Sequence, residues 1–133
     1  MNGITGSEVE FLPPVDRSRL IQLYKDSDIL FLHLNDYEVF KSVLPSKIFE
    51  YAATGKPILA GVGGFFADFL RSNIDNCQIF PPCNSISGFQ AMEKLALGYT
   101  PRTSFKQEFA RREIMERMAQ TIVHLATGKL PVN

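Results

Sequence analysis

Residues 44–59, LPSKIFEYAATGKPIL, decide how the chain is read, because they hold a short helix with an unusual beginning, an acid on its face and an abrupt stop. Pro45 stands at or near the first helical position, where its fixed φ suits a helix start and its missing N–H costs nothing. Ser46 and Lys47 then present first-turn amides that no intrahelical carbonyl satisfies. Glu50 follows one turn later on the same face, and Gly55-Lys56-Pro57 ends the helix. A helix made only to pack needs neither the basic start nor the acid.

The flanking sequence supplies strands. DILFLHL (28–34) is nearly continuous in apolar residues, as a strand covered on both faces should be, and is expected to be central. PILAGV (57–62) forms the next strand, and GGFFADFLRS a helix after a Gly-Gly turn. CQIFPP closes with a short strand. Upstream, VEFLPPV (9–15) reads as a strand stopped by two prolines, and DRSRLIQLYKDSD as a helix with apolar residues at 20, 21, 23 and 24. Downstream, SISGFQAMEKLALG and SFKQEFARREIMERMAQTIVHLATG are amphipathic helices. The second is expected to be one long element with Phe105, Phe109, Ile114, Met118, Ile122 and Leu125 along a stripe and Gly128 as its stop. The alternation predicts an α/β chain, an open parallel sheet with helices on both faces. Ligands in such sheets bind beyond the carboxyl ends of the strands, here at the loops PPVDR, NDYEVFKSVLPSK and GVGGFF.

Composition narrows the classes. The 133 residues are 45% hydrophobic and 21% charged, which fits a single domain. Fourteen basic side chains balance fourteen acidic ones, so no global field draws the chain to nucleic acid or to an anionic membrane. No apolar run approaches the ~20 residues of a spanning helix, and residues 1–10 lack the parts of a signal peptide, so a cytoplasmic location is expected. Cys77 and Cys83 suit neither a disulfide framework nor a metal site and are expected to be packing residues; His33 and His124 are expected to be structural. Phe65 and Phe66 are expected in the core, and the cations of the last helix on a solvated face beside Glu108, Glu113 and Glu116.

The start of the central helix attracts anions. Its dipole contributes about 0.3 to 2 kcal/mol, and Lys47 adds a cation. Glu50, about 6 Å along the helix, would repel a phosphate but would accept hydroxyls beside one, such as a ribose diol, at about 1.5 to 3 kcal/mol for each charge-assisted bond. Phosphate and ribose together describe a nucleotide. On spacing alone, Glu50 could equally pair with Lys47 on a solvated face.

SKIFEYAATGKPILA, preceded by LIQLYKDSDILFLHL and followed by GVGGFFADFL and CQIFPP, resembles the C-terminal donor domain of GT-B glycosyltransferases, nearest to family 4, the retaining enzymes of polysaccharide and lipopolysaccharide synthesis. The resemblance covers about residues 8 to 127. It implies a Rossmann-like fold that binds a nucleoside diphosphate sugar such as a UDP-sugar without a metal. Glu50 matches the ribose-binding glutamate, Ser46 and Lys47 the diphosphate positions, Pro14 and Val15 the base loop, and Gly63 and Gly64 the loop over the donor sugar. The family's other glutamate should stand eight positions before Glu50, where this chain has Ser42; Glu38 substitutes if EVFKSV bulges.

The same resemblance implies that the acceptor domain and the first two donor-domain strands are absent, leaving an incomplete domain over 1–133, improbable as a catalyst alone. It implies a second domain or chain as partner, possible peripheral association with the inner membrane face, and self-association through an exposed sheet edge. Alternatives are a non-catalytic nucleotide-binding subunit or remnant, and a GT-B sugar-nucleotide epimerase fragment, whose loop before the helix is usually Gly-rich and acidic, unlike SVLPSK.

Overall fold

The computed structural model describes residues 9–128. Its elements run α1 (Arg17–Asp26), β1 (Leu30–His33), a 3-10 helix (Glu38–Ser42), α2 (Lys47–Thr54), β2 (Ile58–Gly61), α3 (Gly64–Asn73), β3 (Cys77–Phe80), α4 (Ser85–Met92), α5 (Thr103–Glu108) and α6 (Arg111–Thr127). The three strands form one parallel sheet in the order β1-β2-β3, with Leu32 beside Ala60 and Ala60 beside Ile79. The chain is therefore α/β, as its alternation predicts.

Side chains alternate across the sheet and build two unequal cores. On one face Leu32, Ile58 and Ala60 pack with Ile48 and Ala52 of α2, Phe66, Ala67 and Leu70 of α3, and Phe105 of α5. Five aromatic contacts extend this core through Phe49, Phe69, Phe105 and Phe109. On the other face Leu59 and Phe80 meet Ala91 of α4. Four-residue strands would give little by themselves; burial of Phe66, Ile48, Ile58 and Leu70 carries the fold.

Three expectations are corrected. VEFLPPV forms no strand: residues 9–16 lie outside regular structure and are exposed, Phe11 at 92%. Two consecutive prolines remove two ladder donors, and among the described residues no strand pairs with this segment. β1 is consequently an edge, not the centre of the sheet, and Phe31 on its thinly covered face is 55% exposed. The long C-terminal helix is two helices, α5 and α6, broken where Phe109 turns back into the aromatic cluster and Ala110 becomes extended. The stripe splits there: Phe105 and Phe109 pack inward, whereas Ile114, Met118, Ile122 and Leu125 remain exposed.

Arg102, the only charged residue buried among those described, ties the amino end of the sheet together. Its guanidinium donates to the carbonyls of Ala52, Lys56, Asp75 and Asn76, joining the end of α2 to the segments that lead into β2 and β3. Among the described residues no helix is long and apolar enough to cross a membrane.

Candidate functional site

The carboxyl ends of the strands carry the candidate site. From β1 the chain passes into the 3-10 helix and then α2. From β2 it passes through Gly63 to α3, and from β3 through Pro81-Pro82 to α4. α2 begins with a tight turn in which the Ile48 and Phe49 amides donate to the Pro45 and Ser46 carbonyls at 3.2 and 3.1 Å. Ser46 already has helical angles and makes no side-chain cap. Among the described residues, the Ser46 and Lys47 amides find no acceptor, and both residues are exposed. Acceptor-free amides are thus present at the helix start where the sequence predicts them.

Glu50 turns toward α1. The Tyr24 hydroxyl donates to its Oε2 at 3.3 Å, and the Arg17 guanidinium lies 3.8 Å from its Oε1, leaving the Glu50 side chain 41% exposed. No Glu50–Lys47 ion pair forms among the described residues. Burial and the neighbouring Glu50 charge push the Tyr24 phenol above its ordinary range. Tyr24 also meets Tyr51 edge-on at 5.4 Å, which sets the spacing between the two helices. Between them opens a cleft of about 370 Å³ lined by Arg17, Leu20, Ile21, Tyr24, Glu50 and Lys56 among others.

Pro14 and Val15 are exposed in the loop that ends at Asp16, whose carboxylate caps α1 by accepting from the Arg19 amide at 2.8 Å. That bond holds the Asp16 carboxyl below its usual range. Because Arg17 follows Asp16 immediately and reaches Glu50, the structure brings the loop of Pro14 and Val15 and the Glu50 carboxylate to the same helix pair.

The Glu38 and Gly63-Gly64 positions form a second cluster. The 3-10 helix packs on α3, and a Cβ on Gly64, at φ +60°, would stand 2.6 Å from the Lys41 carbonyl oxygen. Only glycine permits both that angle and that approach. Glu38 lies on this helix with its carboxylate 2.8 Å from the Lys41 ammonium. Gly63 and Gly64 line a cavity of about 290 Å³ with Phe80, Pro81 and Pro82, distinct from the cleft at Glu50. At the same rim the Cys83 amide donates to His33 Nε2 at 2.9 Å, and the His33 ring stacks with Phe31 and Phe80. Phe66 is buried but Phe65 is exposed, which corrects the expectation that both enter the core.

Sequence reasoning missed Arg17 and Tyr24, the partners of Glu50. Tyr24 was legible as an apolar position of its helix, but nothing local indicated that its hydroxyl faces a carboxylate 26 residues away. Among the described residues no group of three or more His, Cys, Asp or Glu side chains is placed to hold a metal ion. In comparisons with known proteins, no family model, no curated protein and no solved structure matches the chain.

Proposed function

We propose that the chain is a donor-binding domain of a retaining GT-B glycosyltransferase that holds a nucleoside diphosphate sugar at the start of α2. The observation that carries this reading is the pairing of acceptor-free amides at Ser46 and Lys47 with a solvent-reachable carboxylate, Glu50, one turn further on. The diphosphate would lie against the amides and the Lys47 ammonium, and the ribose hydroxyls would donate to Glu50. In glycosyl transfer the bond from the anomeric carbon to the diphosphate oxygen breaks as the acceptor oxygen bonds to that carbon, and the acceptor's hydroxyl proton passes to the departing diphosphate. Charge therefore develops on the leaving diphosphate, and helix amides that need not reorganise stabilise it most at that moment. Pro14 and Val15 would flank the base, while Gly63, Gly64 and Glu38 would approach the sugar. On this reading the described sheet would form one wall of a cleft, and turnover would require an acceptor-binding wall to bring the hydroxyl close. Polysaccharide or lipopolysaccharide assembly is the process such a donor domain would serve.

A second reading, a nucleotide-binding module without catalysis, draws on the ion pair of Glu38 with Lys41, which occupies the acid expected at the sugar position. Both readings meet the same first test. Titration with UDP, GDP, CMP and ADP, followed by amide shifts, should give saturable binding of one nucleotide, weakened about tenfold by Glu50→Gln as loss of one good hydrogen bond predicts. Absence of binding by any of them at millimolar concentration overturns both. If binding holds, glycosyl transfer after adding an acceptor domain separates the two.

A further inference from the structure

We infer that the cleft between α1 and α2 binds a small apolar carboxylate, with its charged head at Lys25 and Lys56. The inference goes beyond the nucleotide reading and does not rest on it. Residues 17, 20, 21, 24 and 25 of α1 fall on one stripe at helical spacing, and across about 370 Å³ that stripe faces Glu50, Ala53 and Thr54 of α2. Such a volume lies within the range of small-ligand sites, about 300 to 1,000 Å³. Leu20, Ile21, Ala53 and the Tyr24 ring make the apolar wall. Ile21 and Ala53 are exposed, so a ligand can reach that wall, while buried Tyr24 meets Tyr51 edge-on and holds the two helices apart. About 12 Å separates Arg17 from Lys25 along α1, which sets the length of the ligand's body.

Charge selects the head. The chain balances fourteen basic side chains with fourteen acidic ones, yet the cleft is lined by three cations and one acid, Glu50. That acid is already answered by Arg17 at 3.8 Å and by the Tyr24 hydroxyl. The Lys25 and Lys56 ammoniums have no ion-pair partner among the described residues. Nor are they needed at the helix ends beside them. The Leu23 carbonyl of α1 accepts from both the amide and the hydroxyl of Ser27, and at the end of α2 the Ala52 and Lys56 carbonyls accept from buried Arg102, which adds positive charge behind that end. Lysine stems lie along apolar surface while their heads stay in water. A carboxylate with an apolar body therefore meets both halves of the cleft: the body covers the wall and the head meets two unanswered ammoniums. Inorganic phosphate gains nothing from the wall, and an uncharged body gains nothing from the lysines.

Titration of the full chain with sodium octanoate, followed by amide shifts, tests this, with octanol as the same body lacking the charge. The expected result is saturable octanoate binding, tighter than that of octanol, with shifts clustered at residues 20–25 and 53–56. Lys25→Gln with Lys56→Gln should weaken octanoate about twofold to thirtyfold, as loss of two exposed ion pairs predicts, and leave octanol unchanged. Ala53→Trp, at an exposed position, should fill the cleft and abolish binding of both while the urea midpoint stays in place. Octanoate that does not saturate, or that shifts amides elsewhere, overturns the inference. So does octanol binding as tightly as octanoate, which would leave the lysines no part in selection, and so does octanoate binding that survives Ala53→Trp. Because the probe carries neither phosphate nor ribose, the outcome is read separately from that of the nucleotide titration.

Discussion

Replacing Arg102 by methionine should cost the fold about 3 kcal/mol, although the residue makes no hydrogen bond to Ser46, Lys47 or Glu50. The Ala52 and Asn76 carbonyls keep a second donor, the amides of Gly55 and Ile58. The Lys56 and Asp75 carbonyls have no other donor among the described residues, and they receive guanidinium bonds of 2.8 to 2.9 Å. A hydrogen bond to a charged group is worth about 1.5 to 3 kcal/mol net, so two orphaned carbonyls give about 3 to 6 kcal/mol. The lower end applies because the variant also escapes the cost of burying a cation, a cost visible in the lowered Arg102 pKa, whose main cause is burial. Against a total of about 5 to 15 kcal/mol the loss is large. With an m value of about 1.5 kcal/mol per molar, the urea midpoint followed by circular dichroism should fall by about 2 M. Arg102→Lys should land between, since one ammonium cannot serve carbonyls on three segments at once. A loss below about 1 kcal/mol for the methionine variant would show that water replaces the guanidinium freely, and the staple would then be ornamental.

Other outcomes follow from single contacts. Gly64→Ala places a Cβ 2.6 Å from the Lys41 carbonyl oxygen at a positive φ, and should cost at least about 1 to 2 kcal/mol in denaturation; a neutral result would mean that the 3-10 helix gives way. Phe66→Ala, at a fully buried position, should cost about 3 to 5 kcal/mol. Burial raises the Cys77 thiol from 9.0 to about 11, so the unfolded chain loses that proton first as pH rises, and stability should fall through pH 9 to 11 by about 2 to 3 kcal/mol. Cys77→Ala should flatten that slope, and a thiol reagent at pH 8 should label exposed Cys83 well before Cys77.

Legibility followed the range of the interactions. The α-helices and strands from residue 17 to residue 92 were readable because each has its own apolar period and its own stop, such as Gly55 with positive φ after α2, whereas the 3-10 helix at Glu38–Ser42, too short for a period, was read as loop. The N-terminal strand was not, because VEFL has strand composition but a strand exists only when another strand completes its ladder. Nor was the break at Phe109 and Ala110, where the helical period continues unbroken and only the docking of Phe109 among Phe49, Phe69 and Phe105 overrides it. The site divides in the same way. Spacing put Ser46, Lys47 and Glu50 on one face of about one turn and left a Glu50–Lys47 pair equally open; Arg17 and Tyr24, which reach Glu50 from another helix, carry no local signature.

Those two partners decide whether Glu50 remains available to a ligand. The Arg17 contact, at 3.8 Å between exposed side chains, belongs to a class worth about 0 to 1 kcal/mol. The Tyr24 bond, at 3.3 Å, is longer than the common hydroxyl distance of about 2.7 to 2.8 Å and occupies only one of the roughly four acceptor sites of the carboxylate. On the proposed reading, a vicinal diol would offer two charge-assisted bonds of about 1.5 to 3 kcal/mol each and would displace Arg17 without having to displace Tyr24. Tyr24 would then act as a brace that keeps the carboxylate aimed along the face of α2. Arg17→Gln should accordingly change nucleotide affinity by less than about threefold, Tyr24→Phe should weaken it modestly, and Glu50→Gln should weaken it about tenfold. Isothermal titration of the three variants checks the order. If Arg17→Gln instead weakens binding as much as Glu50→Gln, the guanidinium itself contacts the ligand, and the anion lies in the cleft between α1 and α2 instead of at the start of α2.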